Sequence, residues 1–210
     1  MTDTVLWAIC GVCALAYGLA LAQRSPSFVR TVVKTAATGA LAVLAYLEGG
    51  TGLLALALTL CALGDAFLAG DPKRWLPYGL AAFLAGHVVY VIVFWRERAA
   101  PSQAFFVLAP VAALVGAVML RRLWGSLGPL RPAVLAYVAA ILAMVVSAAA
   151  LPSVRWPATV GAVAFMASDA ILAFDLFKNA KLFGSARITA WAVWFLYIGG
   201  QAGIVVGMLR

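Results

Sequence analysis

Charge is scarce in this chain. Asp and Glu number seven and Lys and Arg fifteen, so charged residues make up 10% of the 210 against 66% hydrophobic. Mean hydropathy is +1.05. These values exclude a soluble globular domain and read as a polytopic membrane protein. The single histidine excludes a His-rich zinc hydrolase site. Cysteine is also rare. Cys10, Cys13 and Cys61 all fall in apolar stretches, where the C-x-x-C spacing of the first two reads as small core packing. No disulfide framework or metal knuckle follows. There is no G-x-S-x-G elbow, and no Ser–His–Asp arrangement is apparent. A basic domain and RNA-binding motifs are absent too, so no nucleic acid partner is expected. Neither a metal nor a cofactor is called for.

What is abundant is apolar sequence in helix-length runs. Eight spans are predicted, at about 5–22, 31–47, 53–70, 76–95, 103–120, 132–150, 157–177 and 189–209. Each is close to the roughly 20 residues that cross a bilayer as a helix. The fold class expected is therefore an all-α, eight-helix transmembrane bundle, with residues 1–210 forming one integral membrane domain. Ala20-Leu21-Ala22 looks like a signal-peptidase site. However, no basic region precedes it and Asp3 is the only early charge, so the first span is expected to be retained.

The few charges are unevenly placed. Alternate connections carry Arg24, Arg30 and Lys34, then Lys73 and Arg74, then Arg121, Arg122 and Arg131, then Lys178, Lys181 and Arg187. The opposite side has Arg96, Arg98, Arg155 and Arg210. That is eleven against four, which places the basic side in the cytoplasm and both termini outside it. A basic rim of this kind attracts anionic membrane lipid.

Two hexapeptides put an aspartate inside an apolar span: Gly64-Asp65-Ala66-Phe67-Leu68-Ala69 and Ser168-Asp169-Ala170-Ile171-Leu172-Ala173. A carboxylate at a helix centre costs about 2.5–3.5 kcal/mol on insertion scales. Residues 60–71 and 164–175 align without gaps at an offset of 104, with five of twelve positions identical, Asp65 with Asp169 and Asp71 with Asp175 among them. A parallel 4+4 repeat is expected, with a buried acidic site built from both halves. Gly199, Gly203 and Gly207 suggest a small-residue ridge on the last span, widened by Gly200.

The other intramembrane polar residues sort by depth. Lys34, Asp65, Asp169 and Tyr197 project into the cytoplasmic half. His87, Tyr90 one turn on, and Gln201 (i+4 from Tyr197) lie nearer mid-span. Lipid cannot satisfy such groups, so they are expected to face a polar chamber open toward the cytoplasm. A structural alternative for the aspartates is a buried salt bridge, for instance with Lys34. Proton- or cation-coupled transport, or non-catalytic lipid binding, would also use embedded acids.

Lys34 in the second span, Gly64-Asp65 in the third, His87-Val88-Val89-Tyr90 in the fourth, Ser168-Asp169 in the seventh and Tyr197-x3-Gln201 in the last together resemble the YhhN family. These are eight-helix membrane proteins that include the lysoplasmalogenases. The resemblance covers about residues 30–208. One departure is Thr35, where the family commonly has proline.

The resemblance implies a multi-pass protein of a bacterial inner membrane. It also implies hydrolysis of the vinyl ether bond of a lysophospholipid to a fatty aldehyde and a glycerophospho-base. That chemistry needs one carboxylic acid that keeps its proton near neutrality and one carboxylate to steady an oxocarbenium-like cation. Asp65 and Asp169 are the catalytic candidates. Lys34 would hold a headgroup phosphate or tune an aspartate. His87, Tyr90, Ser168, Tyr197 and Gln201 would be supporting or substrate-binding residues.

Overall fold

The computed structural model describes residues 2–100 and 103–210, apart from the side chains of Pro72, Lys73 and Ala104. Lys73, counted above among the basic residues, thus falls outside the described side chains. Eight long helices form, and no strand occurs among the described residues. They are α1 (Thr2–Ala16, prolonged by a widened π turn over Tyr17–Leu21), α2 (Phe28–Leu47), α3 (Gly52–Ala69), α4 (Pro72–Arg96), α5 (Gln103–Leu123), α6 (Arg131–Ala149), α7 (Trp156–Lys178) and α8 (Ala186–Met208). All eight are long and apolar enough to cross a membrane, so the chain is a multi-pass membrane protein. Each predicted span corresponds to one helix, displaced by only a few residues at either end.

Local sequence explains the boundaries. Ser27, Thr51 and Ser185 each accept a backbone N–H from the first turn of the helix they precede, which satisfies a donor that a helix start leaves free. Proline stands in the first turn of α6 and of α7, where its missing N–H has no helical partner to lose. Asn179, at φ +51°, closes α7 with its N–H on the Asp175 and Phe174 carbonyls. Asparagine tolerates that left-handed turn better than most residues. Helix α2 runs unbroken through Thr35.

Packing follows a crossed order. Neighbours in sequence pair as α1–α2, α2–α3, α3–α4, α5–α6, α6–α7 and α7–α8, while α4 also packs on α6 and α2 on α8. The core is tightly filled, with Leu41, Leu44, Leu58, Phe94, Met144, Phe165 and Ile204 essentially without exposure. The closest crossing is α7 on α8. A Cβ at Gly161 would lie 2.4 Å from the Gly200 carbonyl, and one at Gly207 would lie 2.3 Å from the Ala158 nitrogen. The small-residue ridge on α8 is therefore Gly200, Gly203 and Gly207. Gly199 is exposed, with nothing within 4 Å of a Cβ there. The offsets of 3 and 7 follow the 3.6-residue turn, and Gly199 lies off that face. By contrast, α5 has little burial and rests mainly on α6 and lightly on α7. A cavity remains open beside it.

Candidate active site

The cavity, of about 280 Å³, is lined from α1, α2 and α3 to α8. Lys34, Asp65, Asp169 and Tyr197 all line it, as their shared depth predicts. Its apolar wall is made by Leu76 and Leu80 of α4, Val115 and Met119 of α5, and residues of α6 and α7 that include Val138 and Leu172. Arg30 and Asp175 line it near the end that carries the basic connections.

Asp65, 1% exposed, is held from two helices. Thr38 Oγ1 of α2 and the Tyr197 hydroxyl of α8 each donate to its Oδ2 at 2.7 Å. Thr38 and Tyr197 also approach each other at 3.2 Å. Lys34 Nζ stands 3.3 Å from Oδ1 as an ion pair. Its alignment is too poor for a hydrogen bond, and Oδ1 has none among the described residues. The Lys34 ammonium also lies 5.6 Å from the centre of the Tyr17 ring and 5.9 Å from that of Trp194. The faces of both rings favour a cation. Arg30 supports this wall, donating to the Ala69 carbonyl at 2.5 Å and to the Tyr17 hydroxyl at 3.2 Å.

The π turn of α1 brings Tyr17 there. Trp194 and Trp191 of α8 anchor it through indole N–H bonds of 2.8 Å to the Ala14 and Gly18 carbonyls. Such widened turns recur at functional sites.

Asp169 is held differently. The Tyr137 hydroxyl of α6 donates to its Oδ2 at 2.6 Å, and His87 Nε2 of α4 lies 3.7 Å from the same oxygen. The His87 ring is wholly buried against Phe165 and Tyr137, at centroid distances of 4.7 and 5.1 Å. His87 Nδ1 is 2.6 Å from the Phe83 carbonyl. A carbonyl can only accept, so Nδ1 carries the hydrogen, and the ring when neutral presents its Nε2 lone pair to Asp169.

The remaining predicted residues lie around this pair. Ser168 lines the cavity, but its hydroxyl is committed to the Val193 carbonyl at 2.8 Å, stapling α7 to α8. Tyr90 and Gln201 are fully buried and bond to each other, hydroxyl to Oε1, at 2.5 Å. They pin α4 to α8 beyond the cavity wall. Thr38 and Tyr137, which donate to the aspartates, and Tyr17 and Trp194, which face Lys34, were not singled out from the sequence.

The sequence model of the YhhN family matches residues 29–208. Two curated relatives, both named Lysoplasmalogenase, come from Mycobacterium bovis and Mycobacterium tuberculosis. Each is 33% identical to this chain over 158 residues, a stretch covering 72% of this chain and 58% of the relative. The matched region is thus less than two thirds of each relative. No solved structure matches the chain.

Proposed function

The chain belongs to the YhhN family, and from that premise we propose that it is a membrane hydrolase of lysoplasmalogen-type lysophospholipids, cleaving their vinyl ether bond with Asp65 and Asp169. The observation that carries this reading is the placement of two aspartates on one cavity with an apolar wall, each with its own set of donors. The overall change is addition of water across R–O–CH=CH–R′, giving R–OH and the aldehyde R′–CH2–CHO. A proton adds to the β-carbon and leaves an oxocarbenium-like cation. Water captures that cation. The resulting hemiacetal collapses, its hydroxyl proton passing to the departing oxygen. A carboxylic acid serves the first step, and a carboxylate steadies the cation as in glycoside cleavage.

In this reading the alkenyl chain lies against Val115, Met119, Val138 and Leu172, and enters from the lipid side beside the loosely packed α5. The headgroup stays near Arg30 at the basic end. The eleven-to-four charge bias supports placing that end, and the cavity mouth, in the cytoplasm with both termini outside. A bacterial inner membrane fits this arrangement.

A parallel repeat relating the first four helices to the last four belongs to the same proposal. Asp65 of α3 is held by α2 and α8, and Asp169 of α7 by α6 and α4. Exchanging the two halves maps one set of supporting helices onto the other. A coupled carrier would need access from both ends, whereas the lining residues of this cavity reach the basic end.

The test is aldehyde release from a defined lysoplasmalogen by purified protein, with Asp65→Asn and Asp169→Asn alongside. Turnover in the native chain and its loss in both variants is the expected result. Near-native turnover in either variant removes that aspartate from the mechanism. Absence of turnover in the folded native protein removes the substrate assignment.

A further inference from the structure

The structure assigns different protonation states to the two aspartates: Asp169 is the carboxylic acid and Asp65 the carboxylate. Asp65 receives only hydrogen atoms and positive charge. Two hydroxyls donate to Oδ2 and an ammonium faces Oδ1, so an ionised carboxylate satisfies every neighbour. Asp169 also accepts from one hydroxyl, that of Tyr137, but its other surroundings differ. No lysine or arginine pairs with it among the described residues, and one of its two close polar neighbours is His87.

With Nδ1–H committed to Phe83, a neutral His87 turns a lone pair toward Asp169 at 3.7 Å. An ionised Asp169 would set a full negative charge against that lone pair, and a proton on either carboxyl oxygen removes the charge. Placing the proton on His87 would create two charges, one of them inside a wholly buried ring. The 3.7 Å gap also exceeds the roughly 2.7–2.9 Å of a charge-assisted bond that could offset their desolvation. Placing it on Asp169 leaves both groups neutral.

Oδ2 already accepts from Tyr137, and no hydrogen bond joins Oδ1 to another described residue. Asp169 is 15% exposed and lines the cavity. The proton therefore rides on Oδ1, on the side open to a ligand. Tyr137 is the positioning residue that fixes the carboxyl's orientation through its other oxygen.

The role this gives Asp169 rests on the vinyl ether reading; the location of the proton does not. In the reaction the Oδ1–H bond breaks as a C–H bond forms at the β-carbon, with the π electrons supplying the pair. The ether oxygen's lone pair stabilises the cation beside the Asp65 carboxylate. Water then adds and returns one proton to Asp169, so the acid is restored within the turnover.

The test is infrared spectroscopy of the whole protein in lipid nanodiscs at neutral pH, in H2O and D2O. The expected result is one deuterium-sensitive carboxylic C=O band in the native chain, kept in Asp65→Asn and lost in Asp169→Asn. Tyr137→Phe removes the bond to the carbonyl oxygen and should move the band to higher wavenumber. A native spectrum without the band overturns the assignment. So does a band that survives in Asp169→Asn or vanishes in Asp65→Asn. If Asp169→Asn does not insert, Tyr137→Phe decides, and an unmoved band overturns the proposal. Aldehyde release is scored separately. The expected band without turnover supports the assignment and removes the reaction, whereas turnover without the band does the reverse.

Discussion

Replacing Gly200 with alanine tests whether the α7–α8 crossing sets the geometry of the acidic site. A Cβ there would lie 2.7 Å from the Gly161 carbonyl oxygen and 3.1 Å from the Phe165 nitrogen. Both obstacles are backbone, so no rotamer change relieves them. Ordinary contact begins at 3.4 Å, so the helices must part by 0.7 Å at this point. Overpacking of this kind costs about 1–3 kcal/mol, against about 0.5–1 kcal/mol gained from alanine's helix propensity. The Tyr197 hydroxyl is carried by α8 one turn away and bonds Asp65 at 2.7 Å. A shift of 0.7 Å carried to it would pass the roughly 3.0 Å limit of an O–H···O bond. Gly199→Ala is the matched control, because nothing lies within 4 Å of a Cβ there. Thermal unfolding in detergent and aldehyde release should both fall in Gly200→Ala, while Gly199→Ala should match or exceed the native stability. Equal stability and turnover in the two variants would refute the idea that this crossing positions Tyr197.

Two further outcomes follow from charged side chains held close together. Lys34→Met strands the buried Asp65 carboxylate, and breaking such a pair typically costs about 3–5 kcal/mol. Steady-state kinetics should show kcat reduced with KM little changed, because Lys34 faces Asp65 and two rings; a rise in KM alone would instead mark it as a headgroup ligand. On the opposite rim, a hydrogen bond with Asp3 and the repulsion of its charge hold the exposed Glu48 carboxyl above its ordinary range. A carboxyl raised on folding contributes stability that is full below its unfolded value and lost as pH rises through the folded one. Asp3→Asn should therefore stabilise the fold near pH 7 but not near pH 4, and equal shifts in unfolding temperature at both would contradict this.

The spans were legible because a bilayer imposes length and hydropathy on each helix independently. Asp65 and Asp169 were legible for a related reason: a carboxylate in hydrocarbon is costly enough to stand out. The Lys34–Asp65 pair was also foreseen as a structural alternative. Thr38 and Tyr137 were not legible. Neither a threonine nor a tyrosine is unusual in an apolar helix, and their importance comes from contacts made 27 and 32 residues away. The glycine ridge shows the limit of spacing as a guide. A period of four suggested Gly199, but helical phase placed Gly200 against α7 instead.

The order of the aspartates' polar neighbours along the chain bears on how the protein enters its membrane. Lys34 and Thr38 precede Asp65 by one helix, and His87 and Tyr137 both precede Asp169. During synthesis from the N-terminus, each aspartate therefore reaches the lipid after polar groups able to receive it. Tyr197 arrives later than these partners, on α8, which follows the other seven helices described. Insertion can thus proceed helix by helix without a long-lived unpartnered carboxylate in hydrocarbon, while the finished acidic cavity exists only once α8 has docked.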